Sequence, residues 1–157
     1  MAEIGGLSES LEDYLEAIYH LVQEKKVARV RDIAARKGVK MSSVVGALRR
    51  LSAEELIHYR AREYVELTET GEDLAMKVVA RHEFLTKFFV EVLGVDEETA
   101  DDEACSIEHV LTKDTMVRMR RMVGYVKQCP GLLEHLHELN PPGEVTEDAP
   151  YPEPCKS

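Results

Sequence analysis

VRDIAARKGVKMSSVVGALRRLSAEELIHYRAREYVEL, residues 30–67, changes periodicity part-way along. From Val30 to Arg36, Ile33 and Ala34 share one face at helical spacing, and Gly38 stops the run. From about Ser42 to Glu55, Val44, Val45, Leu48 and Leu51 recur every three or four positions, which predicts a second helix presenting them inward. Leu56–Arg60 and Tyr64–Leu67 then read as short strands joined by the charged turn Arg60-Ala61-Arg62-Glu63. Short helix, turn, helix and hairpin, in that order, predict a helix-turn-helix with a wing.

Upstream, Ser8–Glu24 is predicted helical. Ser8 or Ser10 is available as a cap, and Leu11, Tyr14, Leu15, Ile18, Leu21 and Val22 form one apolar face. Downstream, Thr68 can cap a long helix reaching about Leu93, with Gly94 ending it. A further helix starts near Asp96 and carries Ala100, Ala104, Ile107, Val110 and Leu111. Another follows Asp114, with Met116, Val117, Met119, Met122, Val123 and Val126, and the apolar faces of these two helices are the expected two-fold interface. Pro130 and Gly131 close that helix, and a short helical turn follows at 132–139. From Asn140 the composition is that of a flexible tail. The expected fold is mainly α: a winged helix-turn-helix domain at 1–70, an all-helical dimerisation and metal-binding domain at 71–140, and a tail at 141–157.

The chain of 157 residues carries a net charge of −10, which by itself disfavours nucleic acid. Its distribution reverses that argument. Lys25 to Arg62 holds eleven Lys/Arg against three Asp/Glu, a local charge of +8, leaving −18 for the rest. A basic segment on an acidic body fits a DNA-binding module joined to something that handles cations. No stretch approaches the roughly 20 apolar residues that cross a bilayer, and the N-terminus lacks a basic region followed by an apolar run. Cys105, Cys129 and Cys155 are odd in number and widely spaced, so a reducing compartment is expected. These features together predict a cytoplasmic protein with no membrane partner.

In a helix-turn-helix the N-terminal part of the second helix enters the major groove. Ser42, Ser43, Gly46 and Ala47 are small enough for close approach; serine hydroxyls can meet base edges or phosphates, and an alanine methyl can touch a thymine methyl. Arg29, Lys40, Arg49 and Arg50 suit phosphates, and Arg60 and Arg62 on the wing reach a neighbouring phosphate or the minor groove. The competing reading is a basic solvated surface on an ordinary helical domain.

A second group carries coordination chemistry. Cys105, Glu108 and His109 stand at i, i+3 and i+4, the spacing of one helix face. Thiolate, carboxylate and imidazole together suit a divalent transition metal. The first helix offers Asp13 and Glu16, also three apart, and the fourth offers His82 beside Glu83. Singly, each has a plainer reading: Asp13 and Glu16 a solvated acidic face, His82 an ordinary histidine, Cys105 a buried small apolar residue.

Glu-Asp-Tyr-Leu-Glu-Ala-Ile-Tyr at 12–19, Asp-Ile-Ala at 32–34 and Ser-Ser-Val at 42–44 are followed by Leu-Thr-Glu-Thr-Gly at 67–71. Arg-His-Glu-Phe-Leu at 81–85 and Glu-Ala-Cys-Ser-Ile-Glu-His-Val at 103–110 complete the series. On these motifs, from about Ser10 to Lys127, the sequence resembles the diphtheria toxin repressor and manganese transport regulator family, DtxR/MntR. The resemblance implies a repressor that binds operator DNA as a homodimer when loaded with a divalent metal. It implies metal ligands at Asp13, Glu16, His82, Cys105, Glu108 and His109, with Asp13 and Glu16 matching the manganese type and Cys105 the iron type. Glu83 and Asp101 are candidate ancillary ligands, although Thr86 replaces the family's carboxylate four residues after His82, and the Asp101-Asp102 pair replaces a histidine. Softness of the Cys105 thiolate favours Fe(II) over Mn(II), with Zn(II), Co(II) or Ni(II) able to substitute. A short form without the SH3-like domain of longer members is expected. No catalytic base or nucleophile pairing is evident, so an enzyme is not expected. Rival readings are a winged-helix regulator with a structural zinc and another effector, and a small metallohydrolase.

Overall fold

The computed structural model describes residues 6–60 and 64–139. The chain divides into two compact units, one extending through Arg81 and the other starting at His82. That division falls inside one long helix.

The first unit runs α1 (Glu9–Lys25), α2 (Val30–Lys37), α3 (Met41–Ala53), β1 (Ile57–Tyr59), β2 (Val65–Leu67) and the first part of α4 (Glu69–Glu91). Its core holds Leu15, Ile18, Ile33, Val44, Leu48 and Leu51, all inaccessible to water, with Ala75 of α4 closing the cluster. Gly38 ends α2 in the left-handed region at φ 63°, as its sequence position predicts. Ser8 occupies the N-cap position of α1, but its carbonyl rather than its hydroxyl makes the capping bonds, accepting from the amides of Leu11 and Glu12.

Two inward assignments on α3 change. Val45 is half-buried and Ala47 is buried, because a 3.6-residue turn carries the core stripe through Val44, Ala47, Leu48 and Leu51. The helix also ends earlier than Glu55. Glu55 takes φ 58°, and the Leu56 amide folds back to donate to the Leu51 carbonyl at 3.0 Å. The wing is antiparallel, pairing Ile57 with Leu67, His58 with Glu66 and Tyr59 with Val65. The Val65 amide also donates to the Ala28 carbonyl at 2.8 Å, which ties the wing to the α1–α2 connection.

The Leu-Thr-Glu-Thr-Gly run at 67–71 has a local physical logic. The Thr68 hydroxyl accepts from the Gly71 amide at 3.0 Å and donates to the Glu55 carbonyl at 2.8 Å, so one side chain caps α4 and pins the end of α3. Gly71 passes so close to Leu56 that any side chain there would overlap its carbonyl. Further along α4, Arg81 donates to Glu12 of α1 at 2.6 Å, a pair almost wholly out of water.

The second unit comprises the rest of α4 from His82, α5 (Glu97–Ile107), α6 (Lys113–Lys127) and α7 (Pro130–Leu139). Leu85, Phe89, Ala100, Ala104 and Met116 form its buried cluster. The Asp96 carboxylate accepts from the Thr99 amide at 3.0 Å and caps α5; that bond holds its pKa below the usual carboxylate range. Thr112 caps α6 by accepting from the Thr115 amide. Pro130 opens α7, where its missing N–H costs nothing, so the last helix is longer than a single turn.

The apolar residues of α6 divide between its two sides. Met116, Val123 and Val126 are buried, whereas Val117 and Met122 are exposed along with Tyr125. At 100° per residue these three exposed side chains fall within about 140° of the helix circumference. Val110, in the turn after α5, is 67% exposed. Among the described residues no helix is long and apolar enough to cross a membrane.

Candidate metal centre and nucleic-acid interface

α5 ends at Ile107, so Cys105 lies within the helix while Glu108 and His109 stand at and just beyond its end. Glu108 is the C-cap, and the Val110 amide turns back to the Ile107 carbonyl at 3.0 Å. The three differ in burial. Glu108 is 0% exposed and His109 is buried, whereas Cys105 lies on the exposed side of α5.

Glu108 carries the informative geometry. One carboxylate oxygen lies 3.5 Å from His82 Nδ1 and the other 3.2 Å from His109 Nε2. Neither oxygen has a hydrogen bond among the described residues. A buried carboxylate left in this way is costly unless a cation or proton lies beside it. His82 sharpens the point. Its Nε2 is 2.9 Å from Asp101 Oδ1, and a carboxylate can only accept, so Nε2 carries the hydrogen. In the neutral ring Nδ1 then presents its lone pair toward Glu108. Two imidazole nitrogens and a buried carboxylate fit a divalent transition metal, and a carboxylate on the far nitrogen of a ligating histidine is the usual orienting arrangement. Asp101, expected as an ancillary ligand, is the partner of His82 Nε2 in this contact; Glu83 is exposed and pairs with Lys87 at 3.6 Å.

In the first unit Asp13 and Glu16 sit one turn apart on α1, both half-buried. Glu16 lies 3.6 Å from His20. Asp13 accepts a 2.8 Å hydrogen bond from Lys37 at the end of α2. That contact, and the buried Glu12–Arg81 pair, escape sequence reasoning. Their partners are 24 and 69 positions apart, and Lys37 reads simply as one more charge in the basic run.

The DNA-facing expectations sort cleanly. Lys40, Ser42, Ser43, Gly46, Arg49 and Arg50 are exposed on or beside α3, as are Arg29 and Arg60. Gly46 has open space where a side chain would stand, so nothing within the chain demands its smallness. Ala47 is the exception: it is buried in the core. Arg62 lies outside the described residues, as do the other turn residues at 61 and 63 and the tail from 140. Met41, not singled out from sequence, is 59% exposed at the start of α3 and offers an apolar contact beside the two serines.

Residues 6–65 match the family model for the N-terminal DNA-binding domain of iron-dependent repressors. Residues 68–135 match the model for the metal-binding and dimerisation domain of the same repressors. The chain belongs to the DtxR/MntR family of metal-dependent transcriptional repressors. Among members of this family, the HTH-type transcriptional regulator MntR of Bacillus subtilis (strain 168) is 37% identical over 119 residues, covering 76% of this chain and 83% of its own length. MntR of Bacillus pumilus (strain SAFR-032) is 37% identical over 137 residues, covering 87% and 94%. Among solved structures, T. acidophilum IdeR superposes with a TM-score of 0.66 at 29% identity, covering 77% of this chain and 56% of that one. A manganese-dependent transcriptional repressor in complex with manganese gives 0.66 at 30% identity, covering 73% and 53%. The chain therefore spans a little over half the length of these two solved DtxR/MntR-type chains.

Proposed function

We propose that this chain is a cytoplasmic, homodimeric repressor that binds double-stranded operator DNA when a divalent metal occupies a site made by His82, Glu108 and His109 with Asp13 and Glu16. The observation that carries this reading is the buried Glu108 carboxylate, without a hydrogen bond among the described residues and flanked by two histidine nitrogens. Asp13 and Glu16 enter on the family resemblance and on their common face of α1. Bound metal supplies the positive charge that offsets the clustered carboxylates. The side chains do the rest: the carboxylates repel one another in the metal-free chain, and their repulsion leaves the two recognition helices of a dimer at variable separation. With that repulsion cancelled, the helices hold a spacing of about one DNA turn, on the order of 34 Å. A few kcal/mol of differential affinity shifts such an equilibrium decisively. The exposed Val110, Val117, Met122 and Tyr125 supply an apolar face suited to the two-fold contact.

The preference for iron rested on Cys105, and Cys105 is exposed while the buried donors are carboxylate and imidazole. That donor set favours Mn(II), and we place manganese ahead of iron. Two outcomes test the reading. Operator DNA should be retarded in a gel with Mn(II) and released by chelator; equal affinity in both conditions defeats it. Cys105→Glu should leave the ratio of anaerobic Mn(II) to Fe(II) affinities within about twofold, and a tenfold swing toward Mn(II) (~1.4 kcal/mol) would return Cys105 to the ligand set.

A further inference from the structure

We propose that Lys37 is an intramolecular competitor of the metal for Asp13, an inference that rests on Asp13 being a ligand. Lys37 is the last residue of α2, the first helix of the helix-turn-helix. Its ammonium donates to Asp13 Oδ2 at 2.8 Å and lies 5.6 Å from the centre of the Tyr14 ring. Tyr14 is buried, so the ammonium is held by a charge on one side and an aromatic surface on the other. The neighbouring basic residues are engaged elsewhere: Arg36 meets Glu24, and Lys25 and Arg31 meet Asp32. Among the described residues Lys37 is the basic side chain of this segment placed on a proposed ligand carboxylate.

Lysine can only donate, and a metal needs the carboxylate lone pairs, so the two cations contend for one carboxylate, with Lys37 already on Oδ2, and repel each other when both are close. Metal entry therefore withdraws the Lys37 tether, which raises the metal concentration needed for loading and releases the C-terminal end of α2 from α1. Sequence alone gives no sign of this, because Lys37 lies within a run that reads as DNA-facing charge.

The test is Mn(II) titration of the full chain without DNA, comparing wild type, Lys37→Met, Lys37→Arg, Asp13→Ala and the Asp13→Ala/Lys37→Met double variant. Lys37→Met keeps the apolar stem and removes the charge. It should tighten Mn(II) about two- to fivefold, the range set by a partly exposed ion pair. Lys37→Arg should stay near wild type, and Lys37→Met should have no effect once Asp13 is alanine. Unchanged or weaker binding by Lys37→Met, with Asp13→Ala still weakened, overturns the competitor and leaves Asp13 a ligand. Equal tightening in the Asp13→Ala background also overturns it, since the effect would be general charge. Wild-type affinity in Asp13→Ala removes Asp13 from the ligand set, and the competitor with it.

Discussion

Glu108→Gln should abolish the stabilisation that metal confers while leaving the metal-free protein at least as stable as wild type. The two halves of this expectation have separate causes. At a metal concentration about 100 times Kd, binding adds roughly 2.7 kcal/mol to the folded state. In a chain of this size that is worth roughly 5–10 °C of melting temperature. Glutamine keeps the shape of the side chain but not the charge that the histidine nitrogens and the metal share. Glu108 is wholly buried and neither oxygen has a hydrogen bond among the described residues. A neutral amide in that position costs less than an ion. Thermal melts in Mn(II) and in chelator measure both. A variant that loses stability in chelator yet keeps the full metal shift would make Glu108 a structural partner of His82 and His109 instead of a ligand.

Gly71→Ala should be the most damaging small substitution in the winged unit. The new methyl carbon would lie 1.8 Å from the Leu56 carbonyl oxygen, far inside any tolerated contact. That oxygen cannot retreat at no cost, because it accepts from the Thr68 amide at 3.0 Å while the Leu56 amide is bound to Leu51. Overpacking of this kind costs about 1–3 kcal/mol, and a broken internal hydrogen bond adds about 1 kcal/mol. Gly124→Ala provides the contrast. It lies within α6 with open space around the added carbon, so replacing glycine there should stabilise by roughly 0.5–1 kcal/mol. Urea unfolding of the pair distinguishes a steric effect from a general propensity effect. A Gly71→Ala chain within about 0.5 kcal/mol of wild type would refute the close-approach account.

Residues that act through neighbours in sequence were legible before any coordinates. Gly38, Thr68 and Asp96 punctuate helices by chemistry that operates within four residues, and each does so in the structure. The order helix, helix, hairpin followed from where the apolar period changed. Ala47 misled because alanine is small enough for either role, and only the summed rotation of α3 puts it with Val44 and Leu51. The end of α5 misled for a different reason: nothing in Ile107-Glu108-His109 breaks a helix, and the stop is visible only as the turn formed by Val110. Glu12 with Arg81, and Asp13 with Lys37, are ion pairs whose members meet through tertiary folding, where spacing carries no signal. The candidate ligands were identifiable as types; that Glu108 is buried and Cys105 is not was unreadable from a pattern placing them three residues apart.

In the proposed dimer the open apolar side of α6 makes chain concentration a thermodynamic variable. Val117, Met122 and Tyr125 face water in a single chain, and a second copy that covered them would bind only the folded form. By mass action the melting temperature then rises with the amount of protein in the cell or cuvette. A metal affinity measured on dilute chains includes the work of bringing two of them together. At low copy number the repressor would respond to its own abundance as well as to its ion.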